Sequence, residues 1–183
     1  MASANTDTPN GFKPVRGVGG SATFRTNEYP VTGGTPIGKH EVVLLVGGLC
    51  TGWATAGDDG QILGVAANFV SSTGSNRTCQ VYDDPNQVFE AQEDGNTIDS
   101  KIKGLGGLFK ITDGAPSAVT GISQQEIDSE ASGATEGVLT CLQIVGFGLG
   151  ITNSVSDSWT RWQVKIVPGQ HVFARDETIK ASA

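Results

Sequence analysis

Short runs of apolar residues, some alternating with polar ones and some crowded together, recur along the chain. They fall at residues 29–31, 41–46, 62–70, 78–83, 87–92, 108–112, 138–145 and 162–167. The last run carries the clearest signal: Trp162, Val164 and Ile166 alternate with Arg161, Gln163 and Lys165, the period-2 pattern of a strand with one face in a core. Turn formers separate the runs at Asp58-Asp59-Gly60, Asp83-Asp84-Pro85-Asn86, Asp94-Gly95-Asn96 and Asp113-Gly114. Together these predict an all-β domain, a small β-barrel or β-tulip-like fold or a sandwich. At most two short helices fit, one over 97–103 stopped by Gly104 and one over 123–130 opened by the capping box Ser123-Gln124-Gln125-Glu126, although the second stretch also fits a strand.

The first twenty residues break this pattern. They are polar, punctuated by Pro9, Gly11 and Pro14, and end in Gly17-Val18-Gly19-Gly20, which predicts an extended N-terminal arm over 1–20 that adds nothing to the core. Residues 21–174 are then the β domain and 175–183 a C-terminal tail. Removal of the arm is expected to leave the domain folded. Twenty-six glycines in 183 residues without a Gly-X-Y period agree with many turns and no long helix.

Charge is distributed unevenly. Residues 41–160 hold 4 basic against 15 acidic side chains, whereas 1–40 and 161–183 each carry +2. No Lys or Arg occurs from Ile111 to Thr160, which argues against a nucleic-acid groove in the body, since phosphate binding needs clustered positive charge. The polar start lacks the basic and apolar regions of a secretory signal, and the apolar stretch 138–151 is broken by Thr140, Gln143 and glycines, too short to span a bilayer. Neither nucleic acid nor membrane is expected as a partner. Synthesis in a reducing cytoplasm is the expectation, with Cys50, Cys79 and Cys141, an odd number without CxxC spacing, as buried free thiols.

Candidate chemistry is sparse. The acidic run Asp83, Asp84, Glu90, Glu93, Asp94 and Asp99 has no EF-hand spacing and reads as turns and solvated face. His40 and His171, far apart in sequence, read as surface or interface residues, because neither comes with the partners of a triad or metal centre. The glycine runs 17–20 and 104–107 lack the Gly-Lys-Ser/Thr ending of a phosphate loop. No catalytic residue, cofactor or metal follows, and an enzyme is not expected. Trp162 is in phase with the core, whereas Trp159 lies in the polar stretch 153–160, where a large apolar side chain is better explained by contact with a partner. Phe12 is the only aromatic residue in the first twenty, with Lys13, Pro14 and Arg16 beside it. This is the composition of an apolar anchor with charged flanks.

The opening Ala4-Asn5-Thr6, Pro9 and Gly11-Phe12-Lys13-Pro14-Val15-Arg16 resembles the start of small decoration, or cement, proteins of tailed-phage heads. Further segments are similar to the same family: Tyr29-Pro30-Val31, Pro36-Ile37-Gly38-Lys39-His40-Glu41-Val42-Val43, Ile62-Leu63-Gly64-Val65, Cys79-Gln80-Val81-Tyr82-Asp83-Asp84-Pro85, Val88-Phe89-Glu90-Ala91-Gln92, and the closing stretches 139–146, 162–166 and Gln170-His171. Lys39-His40 stand where the family has Asp-Pro. The resemblance implies a non-enzymatic structural protein on the outer surface of an icosahedral head. It would bind the assembled major capsid protein and stabilise the shell by bridging subunits. Self-association is expected with it, as trimers first and dimers second. On this reading Phe12, Lys13, Pro14, Arg16 and Trp159 form the capsid interface. A carbohydrate- or receptor-binding β module on the virion surface, using Trp53 or Trp159, is the alternative.

Overall fold

A computed structural model of the chain describes residues 5–16, 24–31, 34, 36–53, 61–95, 106–112, 114–129, 141–148 and 158–174. The protein is all-β, and no α-helix occurs among the described residues. Among the described residues, eleven strands run in the order β1 (Lys13–Arg16), β2 (Asn27–Pro30), β3 (Val42–Val46), β4 (Leu49–Gly52), β5 (Gln61–Ala66), β6 (Thr78–Tyr82), β7 (Val88–Gln92), β8 (Leu108–Ile111), β9 (Ile127–Asp128), β10 (Leu142–Phe147) and β11 (Arg161–Ile166). They build two antiparallel sheets, one ordered β1-β7-β11-β10-β8-β9 and the other β2-β6-β5-β3-β4.

The second sheet explains why residues 42–46 read as an unbroken apolar run. Val42 and Leu44 face the core shared with the first sheet, while Val43 and Leu45 face a separate core with Cys50, Leu63, Ala66, Cys79 and Val81. A strand buried on both faces has no polar positions to alternate with. This sheet curls until its edges meet, with Val31 just past β2 bridging Cys50 in β4. Strand β5 serves both cores through a bulge: Val43 pairs with Gly64 but Leu44 with Ile62. The extra residue puts Ile62 and Val65 on one face and Leu63 and Ala66 on the other. Gly64 adopts φ +152 with its α-carbon against the Tyr82 carbonyl, where a Cβ would collide, so glycine is required there.

The first sheet supplies the other wall of the shared core through alternate positions of its central strands. Phe89 and Ala91, Phe109 and Ile111, Leu142 and Ile144, and Trp162, Val164 and Ile166 all point into the shared core. The indole N–H of Trp162 donates to Glu93 Oε2 at 3.0 Å within that core, so the burial of its ring strands no donor.

Three expectations are corrected. First, the N-terminal segment is extended but not free: Phe12 is fully buried in the shared core and β1 pairs with β7. Burial of a full aromatic side chain contributes roughly 1.5–3 kcal/mol toward the ordering of this segment, alongside its pairing with β7. Second, of the helix and the strand that both fitted residues 123–130, the described part takes the extended form, with β9 at Ile127–Asp128, and the helix is the reading that falls. Backbone pairing of Thr112 with Glu126, Ser123 with Lys39, and β8 with β9 claims their amides, while the Ser123 hydroxyl accepts from the Gln125 N–H at 3.2 Å. Third, His171 is buried, not on the surface. The expected helix over 97–103, the Asp58-Asp59-Gly60 turn and the tail over 175–183 lie outside the described residues.

A candidate interaction edge along the first sheet

The residues singled out in the N-terminal segment lie along β7. Antiparallel pairing sets Lys13 against Glu90, Pro14 against Phe89 and Arg16 against Val88, with a bulge between Pro14 and Arg16. Residues three apart in a regular strand point to opposite faces, but the bulge re-aims the second, and both Lys13 and Arg16 are exposed. Pro14 lacks an N–H, so the outer edge of the sheet is a poor template for another strand. Upstream of β1 the chain continues along the same strand. The Thr8 N–H donates to Gln92 Oε1 at 3.2 Å and Arg161 Nη2 donates to the Thr8 hydroxyl at 3.2 Å. A small half-open pocket of about 40 Å³ lies between Thr8, Gly11, Lys13, Glu90, Gln92 and Arg161.

Two further contacts fix this segment. The Phe12 N–H donates to the His40 carbonyl at 2.8 Å, and Gly11, at φ +64, presses so closely on that carbonyl that a side chain would collide with it. At the far end the Gln87 side-chain amide donates to the Arg16 carbonyl at 2.6 Å. Phe12 is therefore the plug that seats the segment, and its buried ring is not available to a partner in this fold.

Gln92 joins the segment to the other edge of the sheet. Its amide nitrogen donates to Asp7 Oδ1 at 3.3 Å and to Glu126 Oε1 at 3.1 Å, bringing two carboxylates to one donor. Burial, and after it the charge of Asp7, pushes the Glu126 carboxyl up to about 7, against the counter-effect of the Gln92 hydrogen bond. Sequence reading passed over Gln92 and Glu126 because only the fold brings 7, 92 and 126 together.

Trp159 lies at the other end of β7. It is half-buried with a left-handed backbone at φ +59, an unusual conformation for a bulky residue. Its indole lies across Gly95, so closely that a Cβ there would fall 2.6 Å from Nε1. The structure thus places Arg16, Lys13, Arg161 and Trp159 along one strand, while it withdraws Phe12 into the core.

The acidic run is dispersed into structural roles. Asp83 Oδ2 accepts from the Tyr29 hydroxyl at 2.5 Å and from Asn27 Nδ2 at 2.8 Å, and burial together with that carboxylate pushes the tyrosine hydroxyl well above its ordinary value. Asp84 closes the corner between β6 and β7 by accepting from the Asn86 N–H at 2.9 Å. Asp94 Oδ1 accepts from the Ser129 hydroxyl at 2.5 Å. Asp83 and Glu93 are buried, which corrects their reading as solvated face, and Asp99 lies outside the described residues. No group of three or more His, Cys, Asp or Glu is placed to hold a metal ion among the described residues.

Neither histidine hydrogen-bonds a serine, cysteine or carboxylate among the described residues. His40, itself at φ +67, has Nδ1 3.3 Å from the Asn10 carbonyl, and burial, then Lys39, lowers its pKa. His171 Nδ1 accepts from the Phe173 N–H at 3.1 Å, and its buried Nε2 has no partner. The thiols of Cys50, Cys79 and Cys141 are free and buried. The Cys50 thiol is pushed up by its contact with Cys79 and by burial, and that of Cys141 is pushed up to about 12 by burial, so both are poor nucleophiles. Trp53 packs partly buried against the shared core. No protein family, curated protein or solved structure matches the chain.

Proposed function

We propose that this chain is a structural decoration protein of a tailed-phage head, which binds the outside of the assembled capsid and braces neighbouring major capsid subunits. The observation that supports this reading is the edge along β7. Exposed Lys13 and Arg16, with Arg161 and the half-buried Trp159, lie along one strand of a protein whose residues 41–160 carry 15 acidic against 4 basic side chains. Three basic side chains around the single carboxylate of Glu90, with one aromatic side chain, suit an acidic protein surface, where charge sets approach and an aromatic anchor sets residence. Binding only the assembled shell stabilises it by mass action, and repetition over many equivalent sites multiplies the effect.

The test is decoration of heads assembled without this protein. Lys13→Glu with Arg16→Glu is expected to lower affinity by roughly tenfold or more at low salt, and the loss should shrink as salt screens the charges. Trp159→Ala is expected to cost about 2 kcal/mol of binding, roughly thirtyfold, the loss of an aromatic anchor. Wild-type decoration by both variants would remove this edge as the attachment surface. Failure of the wild-type protein to bind any such head would remove the function itself.

A further inference from the structure

We infer that the N-terminal segment is exchangeable between copies of this chain: residues 5–16 of one copy seat along β7 of a second, so that each core is closed by the other copy's Phe12. The inference rests on the fold and does not depend on the shell reading.

The seat for this segment is built from residues distant in sequence. The segment pairs with β7, buries Phe12 in the shared core, and hydrogen-bonds the His40 carbonyl and the side chains of Gln87, Gln92 and Arg161. Those partners meet the segment of a second copy on the same terms. The covalent connection is generous. Arg16 pairs with Val88 and Asn27 with Val81, on either side of the corner between β6 and β7, yet ten residues join Arg16 to Asn27, enough to reach about 33 Å. Gly17, Gly19 and Gly20 lie in that connection.

Addition of a second copy to the outside of β1 is disfavoured, because Pro14 and the bulge spoil that edge. Replacement of β1 is the way left for two copies to share the sheet at this edge. Exchange conserves the contacts that residues 5–16 make with their seat, as in other cases of swapped identical elements. A tether of this kind gives its own segment an effective concentration on the order of millimolar, so exchange should emerge when copies are that concentrated.

The experiment uses two full-length variants, Lys13→Cys and Glu90→Cys, whose positions face each other in the register of β1 and β7. They are unfolded, mixed, refolded together at ~1 mM or ~1 µM, and oxidised with glutathione disulfide. Two thiols lose two protons and two electrons to give the protein disulfide, and glutathione disulfide is reduced to two thiols. The expected result is a disulfide-linked heterodimer at the higher concentration, about fivefold above a control pairing Lys13→Cys with Val119→Cys and falling to the control level at the lower. Val119 is 94% exposed, so the control measures random collision. A chain carrying both Lys13→Cys and Glu90→Cys should cross-link within itself at ~1 µM. Heterodimer no higher than control at either concentration overturns the inference, as does heterodimer undiminished when the Lys13→Cys copy also carries Phe12→Ala.

Discussion

Two segments that flank the strands of the domain each bury a ring, and the rings differ in what they demand of their surroundings. The N-terminal segment inserts Phe12, which is apolar and fully buried. The C-terminal segment, with its 3-10 turns Pro168–Gln170 and Val172–Ala174, inserts His171, which is 1% exposed and bridges to Ile62 in β5. Phenylalanine contributes through the area it removes from water and is indifferent to pH. Histidine removes less apolar area and carries two nitrogens that must be satisfied. The N-terminal segment is nevertheless also tied to protons, through Glu126 and Asp7 on the Gln92 amide, and in the opposite sense to His171.

The largest effect should come from removing the apolar ring. Phe12→Ala deletes a fully buried side chain and is expected to cost about 3–5 kcal/mol of unfolding free energy, read from the midpoint of a urea transition. Phe12→Leu should cost much less, since most of the volume stays. Deletion of residues 1–16 should do at least as much damage as Phe12→Ala, because it also strips β7 of its partner. A truncated protein that melts like the full chain would break the comparison, leaving His171 as the only ring that matters.

The asymmetry between the two segments also decides what could be read from sequence. Strands whose buried positions are apolar were legible: the alternation at 162–166 matches β11, and the runs at 78–83, 87–92 and 108–112 match β6, β7 and β8 to within a residue or two. Strand β1 was not legible, because Lys13, Pro14 and Arg16 hide it while its apolar anchor, Phe12, sits one residue outside. Residues 123–129 were legible only as a choice between helix and strand, for a different reason. They alternate in burial with period 2, but the buried positions are Ser123, Gln125, Ile127 and Ser129, so a hydrophobic pattern shows almost nothing. Gln125 is buried because its Oε1 accepts from the Val42 N–H at 2.7 Å, completing the ladder of a strand 83 residues away, a partner no local pattern reveals. Of the residues proposed for the interface, Lys13, Pro14, Arg16 and Trp159 were placed by composition and retain some exposure. Phe12 failed because an isolated aromatic residue in a polar stretch looks the same whether it anchors to a partner or to its own domain.

Next in size should be the response of the N-terminal segment to alkaline pH. The Glu126 carboxyl is raised from an ordinary value of 4.5 to about 7 in the folded protein, so its contribution to stability is fully present below about 4.5 and is lost as pH rises through about 7. Ionised Glu126 then faces Asp7 across the Gln92 amide. Amide exchange of residues 5–8 is expected to accelerate between pH 6 and 8 beyond its intrinsic pH dependence, and Glu126→Gln should remove that excess. Equal excess in the variant would show that Asp7 and Glu126 do not act on each other.

His171 responds in the other direction and by a smaller amount. Burial lowers its pKa, opposed by Asp83 and then Asp84, so its contribution is fully present above an ordinary value of 6.5 and is lost as pH falls below that. Protonation of Nδ1 also removes the acceptor of the Phe173 N–H. Thermal midpoints measured from pH 7 down to pH 5 should therefore fall relative to those of His171→Leu, in which the opposite response of Glu126 alone remains. A steeper fall in that variant would mean that charged His171 is held by Asp83 and Asp84 instead of expelled.

The smallest effect expected is that of His171→Leu itself at pH 7, and it separates the two rings most sharply. With Nδ1 accepting from Phe173, the proton of the neutral ring sits on Nε2, where it is a buried donor without an acceptor. Such a group costs about 1–3 kcal/mol, which offsets much of what the ring gains by burial. Leucine removes that unsatisfied donor and keeps apolar contact, but leaves the Phe173 N–H without its acceptor in a 3-10 turn that contains no buried residue. The two changes nearly cancel, so stability should stay within about 1 kcal/mol of the parent, against the several expected for Phe12→Ala. A loss of 3 kcal/mol or more in urea would show that Nε2 is satisfied in solution, by an ordered water bridging to the β6–β7 corner, and that the two rings are equivalent plugs after all.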